Sequence, residues 1–462
     1  MRNPYSVRPF SGLADLLVFS SCRELRRVAA TSVCGLQWLR RWRNASRVGF
    51  MLLLLGQFCL PSPVLAQIPH FNWATDYYSR SYLGPIGRQL HTSAVDKVGN
   101  TYITGYVSGT TTLGSTTLVG DIWGSTVFLA KLDNAGNFVW AIGSAGVPRP
   151  LIPDEVGTAV DVDSLGNVYV TGHFIGCMSF GGTSLCSQYG AGGIFVFKFN
   201  PNGGLIWAAQ GGSTILTSSP VDMTLDRRGN IYIIGENDAA RPGSVSTSMR
   251  FGSHTLSGQA GRLYVAKLSP RGQWLWAAGA EGDSGCSIAV DKESNAYVTG
   301  VFRGPTAQFG STVLTGRVGL DQNIFVAKLD SAGRWLWAAQ NRSRTSRGAG
   351  TAHGGWPDDG ASIAVDGNGN AYIAGGSNTD IIETFGTHRT AQLGNASLPD
   401  GYVAKINGQG QWLWVKTLAD ALPTAITTDW LNNVFVAGIY EGASIQFGGS
   451  VLTYAPSGVS CK

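Results

Sequence analysis

Charged side chains are scarce in this sequence: Asp, Glu, Lys and Arg make up 14% of its 462 residues. The positive net charge of +5 comes from residues 1–66, where nine arginines face only Asp15 and Glu24 and give a local charge of +7. The rest of the chain therefore carries about −2. A domain so nearly neutral lacks the basic surface that binds nucleic acid, and we predict no nucleic-acid partner.

Long hydrophobic runs are also lacking, apart from one near the start of the chain. Basic residues 40–47 precede the apolar run Val48 to Leu60, and the small-residue sequence Val64-Leu65-Ala66-Gln67 follows it. This order is typical of a secretory signal, and the run is too short to cross a bilayer comfortably. The sequence predicts a leader over residues 1–66, cleavage after Ala66, a secreted or surface location and no membrane span in the mature chain.

Cysteine and histidine are few and show no metal-ligand spacing. Three of the seven cysteines lie in the leader, and Cys286 and Cys461 have no evident partner. Cys177 and Cys186 flank Phe180-Gly181-Gly182, which reads as a hairpin tip. Two interpretations stay open for them: a disulfide formed in an oxidising compartment, or two free thiols. We predict no metal and no cofactor.

What the sequence has in abundance is a repeat. An apolar strand ends in Asp, a short turn follows, and a second strand closes on Gly. The Asp copies are spaced by 67, 63, 65, 75 and 63 residues, and they are Asp96, Asp163, Asp226, Asp291, Asp366 and Asp429. A nearly fixed period filled with strand signals indicates an array of β units, none of which can bury its faces alone.

The fourth copy illustrates the unit. Residues 287–291 and 296–300 read as two strands around a turn, and residues 324–330 and 335–338 as two more. Between the pairs lies a polar loop with Phe309-Gly310 and Val313-Leu314. Short β-branched and aromatic runs separated by Gly, Asn and Asp are typical of hairpins. Each unit is therefore predicted to be one four-stranded antiparallel sheet.

Three further positions recur. An Asn follows the turn and is expected to take the left-handed backbone there. An aromatic residue on the second strand and a Trp on the fourth suit the packing of one sheet on the next. The fourth-strand tryptophans are Trp140, Trp207, Trp276, Trp337 and Trp414.

Four-stranded units at this period predict an all-β fold, a β-propeller of about six blades over residues 67–454 with a short tail at 455–462. Phe71-Asn72-Trp73-Ala74 reads as a fourth strand without the first three. The Asp429 unit supplies a first and a second strand. The sixth blade is thus predicted to be shared by the two ends and incomplete. Either the Phe447–Tyr454 segment fills the gap, or the chain is a truncated piece of a longer surface protein.

The unit Asp163-Ser-Leu-Gly-Asn-Val-Tyr-Val-Thr-Gly172, followed by Phe180-Gly and Ile194-Phe-Val-Phe-Lys198, resembles the SBBP family of secreted bacterial β-propeller repeats. The resemblance implies export and a propeller, and it implies no catalytic residues. A second, partial resemblance links Ala130, Asp133, Gly136 and Trp140 to quinoprotein repeats, in which the Trp stacks on a peptide of the neighbouring blade. Such an enzyme would also need a calcium site and a catalytic Asp in its central funnel, and no adjacent Cys pair or carboxylate cluster in the sequence supports them.

Two candidate sites compete with ordinary structural interpretations. Lys131, Lys198, Lys267, Lys328 and Lys405 share one slot, and they either line an anion channel or pair with turn carboxylates at the blade edge. Asp366-Gly367-Asn368-Gly369-Asn370 resembles the opening of a calcium loop, but it lacks the Gly at position 6 and the Glu at position 12. A hairpin turn fits it better.

The irregular part of the repeat lies between each fourth-strand Trp and the next Asp, where the gap varies from 15 to 29 residues. Insertions in repeat proteins gather on one face, often the binding face. The candidate binding residues in the two longest loops are Arg149, Asp154, Glu155, His353, Trp356, Asp358 and Asp359. Trp356 beside two carboxylates would suit a sugar or a peptide, and a loop without a function is the alternative.

The sequence therefore predicts an exported, monomeric β-propeller that acts as a binding or structural module at or outside the cell surface. Its partner would be a protein, peptide or glycan. The alternatives are a lyase or hydrolase in the propeller funnel and a fragment of a larger surface protein. An enzyme should show converging carboxylates or His near the ring axis, whereas a scaffold should show only turn and strand residues there.

Overall fold

The computed structural model describes most of the chain beyond the leader. The described residues are 78–80, 89–120, 124–146, 155–187, 192–213, 218–237, 248–257, 262–316, 323–344, 362–377, 382–390, 400–418, 421–440, 444–447 and 450–453. All regular elements in these ranges are β-strands.

Five units each form a four-stranded antiparallel meander, which we call blades 1 to 5. Blade 1 contains β2 (Gln89–Val95), β3 (Thr101–Val107), β6 (Thr126–Leu132) and β7 (Phe138–Gly143), with a short continuation β8 (Ala145–Gly146). Blade 2 contains β9 (Glu155–Val162), β10 (Val168–Ile175), β13 (Gly192–Phe199) and β14 (Leu205–Ser213). Blade 3 contains β15 (Ser218–Leu225), β16 (Ile231–Asn237), β19 (Leu263–Leu268) and β20 (Trp274–Ala280).

Blades 4 and 5 repeat this order, and a sixth unit begins it. Blade 4 contains β21 (Ser284–Val290), β22 (Ala296–Phe302), β25 (Asn323–Leu329) and β26 (Trp335–Arg344). Blade 5 contains β27 (Ser362–Val365), β28 (Ala371–Ser377), β31 (Asp400–Ile406) and β32 (Trp412–Leu418). The sixth unit contributes β33 (Ala421–Thr428) and β34 (Val434–Tyr440), so within the described residues it is an incomplete blade.

The first strands of consecutive units pack side by side, in the order β2, β9, β15, β21, β27, β33. Second and third strands are almost fully buried because they lie between neighbouring sheets, and in β22 and β25 every residue is buried. Fourth strands are mostly half-buried, with some exposed positions. Inner first strands, buried middle strands and outer fourth strands are the radial order of a β-propeller, as the sequence predicts.

The polar loop predicted around Phe309-Gly310 is wrong, because a β-hairpin lies there, whereas the hairpin tip predicted at Phe180-Gly181-Gly182 is confirmed. Similar hairpins follow the second strands of the other units. These hairpins are β4 (Thr110–Leu113) with β5 (Thr116–Val119), β11 (Cys177–Phe180) with β12 (Thr183–Cys186), β17 (Met249–Phe251) with β18 (His254–Leu256), β23 (Thr306–Phe309) with β24 (Thr312–Thr315), β29 (Ile382–Phe385) with β30 (His388–Arg389), and β35 (Ser444–Phe447) with β36 (Ser450–Thr453). Several of them pair with the end of the preceding blade's outer strand, as β17 does with β14 and β29 with β26. The hairpins that pair in this way tie two blades together at the rim.

The first described strand, β1 (Tyr78–Arg80), follows the same rule. Tyr78 pairs with Thr112 of the blade 1 hairpin, just as Gly212 pairs with the equivalent Arg250. Gly212 lies five residues after Trp207, and Tyr78 lies five residues after Trp73. Strand β1 therefore holds the position of an outer-strand end. The predicted fourth strand at residues 71–74 lies outside the described residues, and the shared sixth blade stays a prediction.

Candidate functional site

The lower face of the propeller carries the turns between first and second strands and between third and fourth strands. In blade 1, the Asp96 carboxylate accepts hydrogen bonds from the backbone N–H groups of Val98 and Asn100, from the Asn100 side-chain amide and from the Tyr102 hydroxyl. Burial alone would raise the pKa of Asp96, but these hydrogen bonds outweigh it and hold the pKa below its ordinary value. The repeated Asp is therefore a turn-forming residue.

One detail of the predicted turn is wrong. The residue before the Asn has the left-handed backbone, with φ of +90° at Gly99 and +67° at Ser294. Asn100 instead donates its side-chain amide to Asp96, 2.7 Å away. Glycine prevails before the Asn because it has no Cβ to oppose a positive φ. The candidate calcium loop is one of these turns, since Asp366 accepts from the N–H groups of Asn368 and Asn370.

The five recurring lysines sit in the joints between blades. Each ammonium group lies 4.5–5.3 Å from the centre of the Tyr ring on its own second strand. Lys328 Nζ is 3.2 Å from Asp291 and 2.6 Å from the Tyr297 hydroxyl, and Lys267 Nζ donates to the carbonyl of Ser331 in the next blade. Of the two interpretations, pairing with turn carboxylates describes this geometry, and a lysine-lined channel does not.

The fourth-strand tryptophans dock one blade on the next. The indole N–H groups of Trp140, Trp207, Trp276 and Trp337 each donate to a backbone carbonyl in the following blade, over 3.0–3.3 Å. The rings lie against the turn glycine beside that carbonyl. A Cβ built on Gly272 would stand 2.9 Å from Trp207, and one on Gly333 would stand 2.6 Å from Trp276. Only glycine leaves room for the indole at these turns.

Five of the six inner strands carry a β-bulge that the sequence pattern did not reveal. The register against the second strand shifts at the same place in blades 1 to 4 and in the sixth unit, for example between Gly285 and Ser287. The bulge presses a carbonyl onto the glycine that closes the second strand. A Cβ on Gly300 would lie 2.1 Å from the Ser284 oxygen. The recurring glycine was the available signal, because glycine inside a strand often marks a bulge or a close backbone approach.

Two carboxylates on the inner strands also escaped the sequence analysis. Asp161 accepts a hydrogen bond from the N–H of Leu225, and Asp222 accepts from the N–H and hydroxyl groups of Ile288 and Ser287. Both therefore join the inner strand of one blade to that of the next. Burial raises the pKa of Asp161 to about 7, against the hydrogen bonds that lower it, and the Asp222 charge adds to the increase. Burial raises the pKa of Asp222 as well.

The upper face, where second strands end and new blades begin, carries polar contacts at three successive joints. Ser144 donates to Glu155 between blades 1 and 2, and Ser219 lies 3.4 Å from His173 between blades 2 and 3. Ser284 donates to Glu236 between blades 3 and 4. Because a serine faces a titratable side chain across all three joints, the Ser219–His173 pair reads as a blade contact rather than a catalytic dyad.

The joint between blades 3 and 4 adds an ion-pair cluster at this upper edge. The Arg262 guanidinium lies 3.2 Å from Asp283 and 3.7 Å from Glu236, and all three side chains keep about a fifth to a quarter of their surface exposed. Charged, partly exposed groups of both signs can hydrogen-bond a polar ligand. Within the described ranges, no group of three or more His, Cys, Asp and Glu side chains is arranged to hold a metal ion.

Most of the predicted loop residues lie outside the described residues: Arg149, Asp154, His353, Trp356, Asp358 and Asp359. Glu155 is described, and it is fully buried at the start of β9, where its backbone N–H donates to the Ser125 hydroxyl oxygen. It fastens blade 2 to blade 1 instead of facing solvent. Its role as a ligand contact stays a prediction that this position does not favour.

The structure joins Cys177 and Cys186 by a disulfide. The two residues face each other across the β11–β12 hairpin, with Cα atoms 3.9 Å apart. Cys286 lies half-buried on the inner strand of blade 4. In the part of the chain that the structure describes, no helix is long and apolar enough to cross a bilayer.

The family model for the SBBP beta-propeller repeat matches residues 352–383. The chain carries an SBBP-type propeller repeat. The match covers the Asp366 turn and the second strand of blade 5, and it agrees with the resemblance drawn from the Asp163 unit.

Two further proteins are similar to this chain. An uncharacterized WD repeat-containing protein of Acanthamoeba polyphaga mimivirus is 27% identical over 244 residues, which cover 46% of this chain and 16% of that protein. The chain thus spans about a sixth of this relative's length. A gluconolactonase from Xanthomonas campestris has 11% identity, a TM-score of 0.30, and coverage of 76% of this chain and 96% of its own. The repeat and the strand topology together make this chain a β-propeller.

Proposed function

We propose that this protein is an exported β-propeller that binds a peptide or glycan outside the cell through its upper face. The observation that carries the proposal is the contrast between the two faces. The described lower turns are nearly identical from blade to blade and are filled by their own Asp, Asn and Lys side chains. The upper face receives the connections of unequal length.

The upper face also differs in its chemistry. The cluster of Arg262, Glu236 and Asp283 is partly exposed there. The two longest connections, one of which contains His353 and Trp356, follow fourth strands that end on the same side. Binding sites in repeat proteins gather where insertions emerge from a rigid scaffold. The disulfide between Cys177 and Cys186 supports export, since disulfides persist in oxidising compartments.

The alternative, a hydrolase or lyase in the funnel, has one observation in its favour, the Ser219–His173 contact. The neighbouring joints place Glu155 and Glu236 against serines in the same manner, which explains the contact without catalysis. We therefore favour binding over catalysis.

The test uses residues 67–462 produced with the disulfide intact and screened on arrays of bacterial surface glycans and peptides. In one variant, a linker as short as that between blades 3 and 4 replaces residues 345–361. This variant should bind the ligand found in the screen at least tenfold more weakly. A matched change on the lower face, Arg271→Ala, should leave the affinity unchanged. Equal binding by the loop-shortened variant, or loss of binding in Arg271→Ala, would contradict the proposal.

A further inference from the structure

The two residues that follow the repeated Asp form the tips of the lower-face turns, and they are exposed in all six units. In the neighbouring blades 1 and 2, the second tip residue is apolar. Val98 is 72% exposed and Leu165 is 80% exposed. Their backbone N–H groups donate to the carboxylates of Asp96 and Asp163, over 3.0 and 2.9 Å. Each apolar side chain thus stands in solvent on a turn whose backbone is held in place.

Two more apolar tips belong to the sixth unit. Trp430 is 81% exposed and Leu431 is 51% exposed. Their exposure comes from their position in the turn, because the corresponding residues of the five blades are exposed as well. The Gly367 N–H of the blade 5 turn donates to the Asn432 side chain over 2.7 Å, which places the two turns side by side on the lower face. We call four residues the apolar tips: Val98, Leu165, Trp430 and Leu431.

The uncompensated charges at the tips of this face are positive. The repeated Asp side chains are occupied by their own turns, and in blades 2 to 5 a joint lysine lies within 3.9 Å of the carboxylate. Lys292 pairs with Glu293, and Arg334 pairs with Asp330. Four other exposed turn cations form no ion pair with any carboxylate among the described residues, and we call them the basic tips: Lys97, Arg227, Arg228 and Arg271.

Basic and apolar tips lie together along three successive blades. Lys97 directly precedes Val98 in blade 1. Leu165 follows in blade 2, and Arg227 and Arg228 follow in blade 3. Lys and Arg are attracted to anionic lipid headgroups, and apolar side chains beside them can enter the boundary between headgroups and acyl chains. Tryptophan is enriched at that depth. The lower face is therefore complementary to an anionic bilayer.

Other partners fit these tips less well. Each apolar tip lies on a separate turn, with exposed polar residues such as Ser164 and Asn202 nearby. The tips therefore do not form the closely packed apolar core of a protein interface. A nucleic acid would use the cations and leave the apolar side chains in water. A fluid lipid surface can accept each side chain singly.

We propose that the lower face docks on an anionic lipid bilayer. The apolar tips enter the interfacial region, and the basic tips contact lipid phosphates. The turns need no rearrangement, because the Asp carboxylates already hold their backbones. The upper face then points away from the bilayer. This docking surface is separate from the upper-face site proposed above and does not depend on it.

Sedimentation with lipid vesicles tests the proposal. The protein is residues 67–462, which include every described element and omit the apolar run of the leader. We expect binding to vesicles of phosphatidylcholine and phosphatidylglycerol, and at least about tenfold weaker binding to phosphatidylcholine alone. Arg227→Ala/Arg228→Ala should weaken binding at least about tenfold and make it less sensitive to salt. Val98→Ser/Leu165→Ser should weaken it at least about fivefold.

Matched controls lie away from the lower face. Val119 is 77% exposed at the base of the blade 1 hairpin, and Arg250 is exposed on the hairpin that pairs with β14. Val119→Ser and Arg250→Ala should bind vesicles as the parent does. Trp430 adds a spectroscopic signal, because its indole leaves water on docking. Anionic vesicles should shift the tryptophan emission of the parent to shorter wavelength, and this shift should be smaller in Trp430→Phe.

Three results would overturn the proposal. One is the absence of binding to anionic vesicles at low salt by protein whose circular dichroism shows a folded β structure. Another is equal weakening by Val119→Ser or Arg250→Ala, which would place the contact elsewhere on the molecule. The third is vesicle binding that Val98→Ser/Leu165→Ser leaves unchanged, which would identify a purely electrostatic contact that any polyanion could make.

Discussion

The indole N–H of Trp337 in blade 4 donates to the carbonyl of Gly408 in blade 5 over 3.0 Å. Gly410 lies against the ring, so that a Cβ there would stand 2.9 Å from the indole. The same contact recurs with Trp276 between blades 3 and 4, and with Trp207 between blades 2 and 3. The blades are thus held by a repeated lock in which a large aromatic ring needs a residue without a side chain in the next blade.

Removal of one lock should destabilise the propeller. Trp207→Phe loses the hydrogen bond to Pro270 and part of the ring, and we expect a loss of about 1–2 kcal/mol in the free energy of unfolding. Trp207→Ala should cost about 3 kcal/mol or more. The neighbouring Ile206→Ala is the control, because that side chain is about half exposed. Urea unfolding followed by fluorescence provides the measurement, and a similar cost at both positions would contradict the docking role.

The glycine opposite each bulge gives a second prediction. Gly300→Ala forces a Cβ to within 2.1 Å of the Ser284 oxygen and 2.8 Å of the Phe325 ring, so we expect a loss of at least about 3 kcal/mol. At Gly143 the nearest atom to a new Cβ is 3.5 Å away. Gly143→Ala should therefore stay within about 1 kcal/mol of the parent. Thermal unfolding of the two variants separates these outcomes, and a tolerated Gly300→Ala would exclude the bulge geometry.

The raised pKa of Asp161 predicts a pH dependence of stability. The folded chain keeps this proton up to pH of about 7, whereas an unfolded Asp releases it near pH 4. Between these values the folded state binds more protons, so the free energy of unfolding falls as the pH rises. The parent should therefore lose more stability between pH 5 and pH 8 than Asp161→Asn does, as measured by urea midpoints.

Asp163, two residues away, is the control for this measurement. Burial works against it, but hydrogen bonds from Asn167, Leu165 and Tyr169 hold its pKa below the ordinary value. It stays ionised in both states from pH 5 to pH 8, so Asp163→Asn should lower stability by the same amount at both ends. Identical pH profiles for the parent and Asp161→Asn would show that Asp161 is not protonated in the fold.

The disulfide of blade 2 should stabilise the folded chain measurably. Closing a loop of about ten residues constrains the unfolded chain by about 2–3 kcal/mol in the chain-entropy account. Reducing agent should lower the unfolding midpoint of the parent and leave that of Cys177→Ser/Cys186→Ser unchanged. Cys286→Ser should respond to reductant as the parent does. A parent insensitive to reductant would mean that the two thiols are free.

Much of this fold could be predicted from the sequence because its determinants are local. The turn Asp96, the buried Tyr102 and the docking Trp140 each recur at fixed spacing, and each makes the contact that its chemistry suggests. Strand periodicity and turn residues set the four-stranded units. The order of the blades then follows from the apolar faces that these units must cover.

The parts that sequence reasoning missed depend on contacts between distant residues. Asp161 meets Leu225 only after two blades stand side by side, and nothing near Asp161 in the sequence signals this partner. Arg262, Glu236 and Asp283 likewise converge from two blades. The hairpin at Phe309-Gly310 was within reach, because a glycine between two short alternating runs is a hairpin signal.

The most direct test of the blade-to-blade lock is a double-mutant cycle between Trp337 and Gly410. Gly410→Ala is strained in any background, because φ is +81° there, but only an indole at position 337 adds a clash. We expect Gly410→Ala to cost at least about 1.5 kcal/mol more in the parent than in Trp337→Ala. Equal costs in the two backgrounds would show that the ring and the glycine do not touch, and would contradict the radial packing of the blades.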